Sequence, residues 1–277
     1  MPAKALPDAL ADILGRVRAR RPLIHHLTNW VVMNDTANIT LHAGALPVMA
    51  QAREEVGEIA ASAQALVVNL GTLTAERLEA ILVAAAVANQ RGIPIVLDPV
   101  GAGASAWRTA SALHLLKERR VAIIRCNRAE AAALLDQVGT IRGVEDVGRD
   151  SAEERLTLAQ HLADRFQTTV AITGPRDVVS DGKRLLAVDN GDPLLTTITG
   201  SGCMATTLVA CCAAVESNGV LAAATALAAF GLAAERAAQA ARGPASFKVA
   251  LFDHVYNLGP ADLAAGARVG WLHRRES

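Results

Sequence analysis

The chain has 277 residues, with 27 Lys+Arg against 27 Asp+Glu, 52% hydrophobic residues and only 3% aromatic ones. The balanced charge argues against a general nucleic-acid binder, which needs a basic patch, and the apolar content argues against disorder. The few aromatic residues argue against a stacking platform for single strands, and alanine, about a fifth of the chain, fills the apolar share far beyond ordinary usage.

In chain order, residues 1–21 scatter charges through a helical pattern and lack a continuous apolar stretch. They are expected to form an amphipathic helix and not a signal peptide. Residues 65–69 (ALVVN) read as a strand, and residues 74–91 as a helix opened by a Thr74 cap. Residues 94–97 (PIVL) predict the next strand, ended by Asp98 and Pro99. Residues 121–125 (VAIIR) predict another, followed by a helix from about Ala129. The polar stretch 139–154 reads as an exposed insertion. Residues 169–173 (TVAIT) predict a further strand, and Asp181 and Gly182 between two apolar runs signal a hairpin. Residues 203–241 are mostly apolar, but Glu216, Asn218 and Gly219 interrupt them. Two buried helices are expected there, not a membrane span. Strands separated by helices of this length predict an α/β fold. Its central sheet is mostly parallel with helices on both faces, and one domain covers 1–277.

Polar residues follow nearly every strand: Asn69, Asp98, Arg125 and Thr173. In open α/β sheets ligands bind outside the carboxyl ends of the strands, so the four point to one shared site. The most informative segment is Thr199-Gly200-Ser201-Gly202-Cys203, just before a long apolar run. Glycines here let consecutive amides face one space, and with the helix N-terminus they make an anion site. A ligand-free tight turn fits the spacing equally well. There is no GxxxxGK[ST] loop and no complete GxGxxG fingerprint. Cys126, Cys203, Cys211 and Cys212 form no CxxC pair, which predicts a reduced, cytoplasmic chain.

An ordered set of motifs then resembles the hydroxyethylthiazole kinases. It begins with His25-His26-Leu27-Thr28-Asn29 and Asn34-Asp35-Thr36-Ala37-Asn38, and continues with Gly44-Ala45-Leu46-Pro47-Val48-Met49-Ala50. Asn69-Leu70-Gly71-Thr72, Asp98-Pro99-Val100-Gly101-Ala102-Gly103, Arg125-Cys126-Asn127-Arg128-Ala129-Glu130, Thr173-Gly174 and the 199–203 segment follow in order. The resemblance covers nearly the whole chain. It implies a ribokinase-like fold and transfer of the γ-phosphoryl of ATP to 4-methyl-5-(2-hydroxyethyl)thiazole, a thiamine precursor. It further implies a need for Mg²⁺, and a homotrimer with active sites at the subunit interfaces, with no nucleic-acid or membrane partner.

The resemblance assigns roles that agree with the residues' chemistry. Gly200, Ser201, Gly202 and Cys203 offer amides to the phosphate. Asp98 and Glu130 are hard oxygen donors for Mg²⁺, and Arg125 and Thr173 hold ATP. Met49, Asn29 and Gly200 line the thiazole site, where a soft thioether suits a flat sulfur heterocycle. Plainer roles stand beside these. Asp98 reads also as a turn residue, Glu130 as a helix cap, Arg125 as an ion-pair partner and Met49 as core. His25 and His26 read as structural, because neighbours on a strand face opposite ways.

Cys203 stands where sugar kinases of the wider superfamily have an Asp base. Its position at a helix N-terminus predicts a lowered thiol pKa. A loose transition state needs little base assistance, so Cys203 is expected to assist without being indispensable. Two residues depart from the family pattern. Cys126 replaces a usual Gly and is expected to narrow the phosphate space or strain the backbone. Leu46 replaces a small polar residue and is expected to reshape the thiazole pocket. The alternatives are a hydroxymethylpyrimidine kinase of the same fold, a non-catalytic thiazole or nucleotide sensor and, most weakly, a nicotinamide-dependent dehydrogenase.

Overall fold

In the computed structural model, which describes residues 5–136 and 152–272, the chain opens with helix α1 (Leu6–Arg20). Strand β1 (Leu23–Leu27), helix α2 (Met33–His42), strand β2 (Leu46–Val48) and helix α3 (Val56–Ser62) follow. Then come β3 (Ala65–Asn69), α4 (Ala75–Arg91), β4 (Ile95–Asp98), α5 (Ala106–Glu118), β5 (Ile123–Asn127) and α6 (Arg128–Asp136). After residue 151 the order is α7 (Ala152–Phe166), β6 (Thr169–Thr173), β7 (Asp177–Ser180) and β8 (Leu185–Val188). A 3₁₀ helix (Pro193–Thr197) leads to α8 (Ser201–Ala213), α9 (Gly219–Ala240), α10 (Pro244–Asn257), α11 (Pro260–Gly266) and β9 (Val269–Leu272).

The strands form one sheet in the order β2-β1-β3-β4-β5-β6-β7-β8-β9. The ladders from β2 to β6 are parallel, and those from β6 to β9 are antiparallel. The parallel part puts the carboxyl ends of β1, β3, β4, β5 and β6 side by side. The hairpin expected at Asp181 and Gly182 is present, with Ser180 paired to Leu185. Of the predicted insertion at 139–154, residues up to 151 lie outside the described residues, and the last three instead open α7.

Strand residues alternate between two buried cores. Ile24, Val67, Val96, Ile123 and Ala171 pack against α1 and α8–α11. Leu27, Val68, Leu97, Ile124 and Ile172 pack against α3–α7. His25 and His26 obey the same alternation. Both are fully buried, His25 Nε2 bonding Ala50 O at 2.6 Å and His26 Nε2 bonding Thr40 Oγ1 at 3.1 Å.

Alanine concentrates where helices are most enclosed. In α9, Ala222, Ala223, Ala224 and Ala228 are wholly buried. Alanine is a strong helix former, and its short side chain lets α8 and α9 lie close together and against the sheet. By length and hydropathy α9 is long and apolar enough to cross a membrane, yet 83% of its apolar window is buried inside the fold. The break expected before it is an N-cap, where Asn218 Oδ1 accepts the Leu221 amide at 3.4 Å.

Candidate active site

The carboxyl ends of β3 and β4 place Asn69 directly beside Asp98 in the ladder. Asn69 Nδ2 donates to Asp98 Oδ2 at 2.9 Å and to Cys203 Sγ at 3.2 Å. Its Oδ1 accepts from Asn29 Nδ2 at 2.9 Å, which orients the amide, and Asn29 also reaches Cys203 Sγ at 3.6 Å. Thr206 Oγ1, one turn along α8, donates to Asp98 Oδ2 at 2.9 Å. The polar ends of three strands thus meet the first turn of α8 in one hydrogen-bonded group, as the sequence pattern implies.

Arg125, on the neighbouring β5, extends this group toward β6. Its guanidinium lies 3.9 Å from Asp98 Oδ1 and donates to Thr173 Oγ1. The α8 turn is built for close approach. Gly200 adopts φ +87°, a left-handed conformation that favours glycine. The first helical hydrogen bond of α8 runs from Met204 N to Gly200 O, so the amides of Ser201, Gly202 and Cys203 precede it.

A cavity of about 560 Å³ opens beside this turn, lined by Arg125, Thr173, Ser201 and Gly202. Leu227 and Phe230 of α9 give it an apolar wall, and residues 190–193 form a strap along it. The strap is anchored from behind. Glu235 accepts from Asn190 Nδ2 at 3.2 Å and from Gly191 N at 2.8 Å, and Arg268 donates to both Glu235 oxygens. The space suits a ligand with an anionic end at α8 and a flat apolar end at α9.

The electrostatics correct one expectation. The Cys203 thiol is not lowered by its place on α8; it is pushed up to about 11, first by burial and then by the Asp98 charge. Desolvation outweighs the Asn69 and Asn29 donors and the Arg125 charge. Asp98 is itself raised by burial, opposed first by Arg125.

Glu130 takes a capping role. Its Oε2 accepts the Asn127 amide at 3.0 Å, while Asn127 Oδ1 accepts the Glu130 amide at 2.9 Å. Its Oε1 accepts the Gly101 amide at 3.1 Å, so the residue also ties the β4 loop to α6. The expectation for Cys126 is overturned. Its side chain is wholly buried in the core under α3–α7, and it is not among the residues with positive φ. Leu46 lies exposed on the outer strand β2. Met49 follows that strand and is half-buried, one strand outward from Asn29 and outside the group around Cys203.

Two residues, Thr206 and Asp177, escaped the sequence reading, and a third was legible only in part. Asn69 was visible as a strand-end residue, but not as the link between Asp98 and Cys203. Thr206 gave no sequence signal inside its apolar helix. Asp177, on the cavity wall, accepts from Gly174 N at 2.9 Å. Burial raises its pKa to about 7, opposed by the Gly174 amide and by Arg125.

The family model for the hydroxyethylthiazole kinase family matches residues 14–260. A Roseiflexus protein named hydroxyethylthiazole kinase is 56% identical over 260 residues, covering 94% of this chain and 96% of its own. The solved structure of the hydroxyethylthiazole kinase protein from Pyrococcus horikoshii is similar with a TM-score of 0.89 and 42% identity, covering 95% of this chain and 99% of its own. A ribokinase-like superfamily protein of Enterococcus faecalis shares the fold with a TM-score of 0.62 at 11% identity, covering 90% of this chain and 95% of its own.

Proposed function

The chain belongs to the hydroxyethylthiazole kinase family, and we propose that it transfers the γ-phosphoryl group of ATP to the hydroxyl of 4-methyl-5-(2-hydroxyethyl)thiazole, giving the thiazole phosphate for thiamine synthesis or salvage. One observation carries this reading. Ser201 and Gly202 in the first turn of α8 and Arg125 line one cavity, beside the group built on Asn69, Asp98 and Cys203.

Phosphoryl transfer of this kind asks the protein for position and charge neutralisation more than for covalent help. The amides of Ser201, Gly202 and Cys203 would meet the transferring phosphoryl, and Arg125 and Thr173 the remaining phosphates. Gly200, Asn29 and Met49 would hold the thiazole, with Asn29 linking the alcohol side to Cys203. With a pKa of about 11, only about one thiol in ten thousand is ionised at pH 7. Cys203 therefore acts here as a neutral neighbour of the alcohol. The alcohol proton would pass late, after most of the leaving-group bond has broken, to an oxygen of the phosphoryl group being transferred.

Mg²⁺, when bound, neutralises the phosphate charge. Asp98 Oδ1 is buried without a hydrogen-bond partner, so it fits a hard cation. Both Glu130 oxygens already accept backbone amides, so Glu130 would support the ion from farther away.

The outer strand supports a homotrimer whose sites are completed across the interface. Leu46 on β2, Leu41 on α2, and Trp30 and Val31 after β1 are all exposed apolar residues. The single nine-stranded sheet among the described residues supports one domain over 1–277, and four free cysteines suit a reduced cytoplasm.

The test is ADP release with Mg·ATP over a panel of vitamin-precursor alcohols. The thiazole alcohol is expected to give the largest kcat/KM. A larger response to a hydroxymethylpyrimidine would reject the substrate. Calorimetric thiazole binding with no turnover would make the protein a sensor.

A further inference from the structure

Arg77 is a charged side chain in an unlikely place. It is only 7% exposed, and it sits in the first turn of α4, where the Thr74 hydroxyl accepts its amide at 3.2 Å. A cation at this end of a helix opposes the helix dipole. Burial lowers its pKa, and among the described residues no carboxylate forms an ion pair with it.

What surrounds the guanidinium is backbone. Nη2 donates to Thr28 O at 2.7 Å, and Nη1 donates to Gly71 O at 2.7 Å and Thr72 O at 2.9 Å. Nε donates to Gln51 Oε1 at 3.2 Å, and Gln51 Nε2 returns to Thr28 O at 3.1 Å. The Trp30 ring covers the group, with its centroid 5.7 Å from the Arg77 carbon.

These contacts lie on the loops after β1, β2 and β3. Thr28 precedes Asn29, Gln51 stands two residues after Met49, and Gly71 stands two after Asn69. The loop after β3 is itself unusual, since Thr72 holds φ +45°. Arg77 offers a rigid planar fork that a single ammonium cannot replace. Among the described residues, no hydrogen bond or ion pair joins this group to the cavity loops at 173–177 and 190–193.

We propose that Arg77 is a positioning residue for the alcohol side of the site, locking the loops that present Asn29, Met49 and Asn69 while leaving the nucleotide side independent. The inference rests on the kinase reading for its kinetic consequence only, because the clamp itself exists without substrate.

The experiment is Arg77→Lys, with Gln51→Leu as a second variant in case the first does not fold. Arg77→Lys is expected to raise KM for the thiazole alcohol about tenfold or more and to lower kcat. KM for ATP should stay within about twofold. Gln51→Leu should shift the same constants in the same sense, by about threefold. Hydrogen exchange of the substrate-free variant should speed up at 28–31, 49–51 and 70–73 and stay unchanged at 190–202. Unchanged exchange, or equal losses for thiazole and ATP, would overturn the clamp. A wild-type protein without thiazole turnover would reject the kinase reading alone, and the exchange result would still decide the clamp.

Discussion

Gly202 and Arg125 are packed so closely that a methyl group on the glycine would stand 2.5 Å from the guanidinium nitrogen Nη1. The contact is with the far end of a flexible side chain, so Gly202→Ala is expected to fold normally and to displace Arg125. The expected result is a loss of about tenfold to a hundredfold in kcat/KM for ATP, the usual consequence of a small misplacement near the phosphates. Steady-state kinetics beside a melting curve would check it. An unchanged ATP constant would remove Arg125 from the nucleotide site.

Cys203→Ser is expected to keep measurable turnover, because a thiol held near pKa 11 already contributes little as a base. Complete loss of turnover in a variant that folds and binds ATP would contradict this. Cys203→Asp is expected to remain active with a different pH profile. Burial and the Asp98 charge would raise the new carboxyl too, so its basic form fills as pH rises. Its rate should climb through that raised pKa.

Asp177 is expected to make stability depend on pH. Its pKa of about 7 in the folded chain compares with about 4 when unfolded. The folded state therefore holds an extra proton between those values, and stability falls as pH rises from about 4 to about 7. Asp177→Asn removes that dependence and keeps an acceptor for the Gly174 amide. It is expected to stabilise the protein by up to about 4 kcal/mol at pH 8 and little at pH 4. Thermal unfolding of both proteins at the two pH values would show it; equal gains at both would exclude the charge as the cause.

Glu235→Ala is expected to loosen the strap over the nucleotide cavity. Glu235 does not line the cavity, yet it accepts from Asn190, Gly191 and Arg268. Loss of these bonds should raise KM for ATP about threefold to tenfold and leave KM for the thiazole unchanged. A shift in both constants would mean that the strap supports the fold generally.

The fold was legible where local signals were strong. Residues 65–69, 94–97, 121–125 and 169–173 announced strands through β-branched runs, and Asn69, Asp98, Arg125 and Thr173 marked their active ends. β1 was legible only through the opposite facing of His25 and His26, and its bounds were not, because the two histidines hide its apolar alternation. Arg77 looks like an ordinary charged residue on a helix; only the fold reveals three loops converging on it. The misjudged thiol has a similar origin. The helix terminus at Cys203 is a local feature visible in sequence, whereas burial beside Asp98 depends on strands about a hundred residues away. Glu130 shows the opposite case, since its cap to Asn127 is local and was legible as an alternative.

The raised pKa of Cys203 also bears on how the protein survives oxidants. Peroxides and alkylating agents react with thiolates, and a thiol that stays protonated reacts slowly. Burial first, and then the Asp98 charge, keep the sulfur protonated and chemically quiet against the pull of the Asn69 and Asn29 donors. Cys203 is therefore expected to react slowly with peroxides and alkylating agents while it stays protonated.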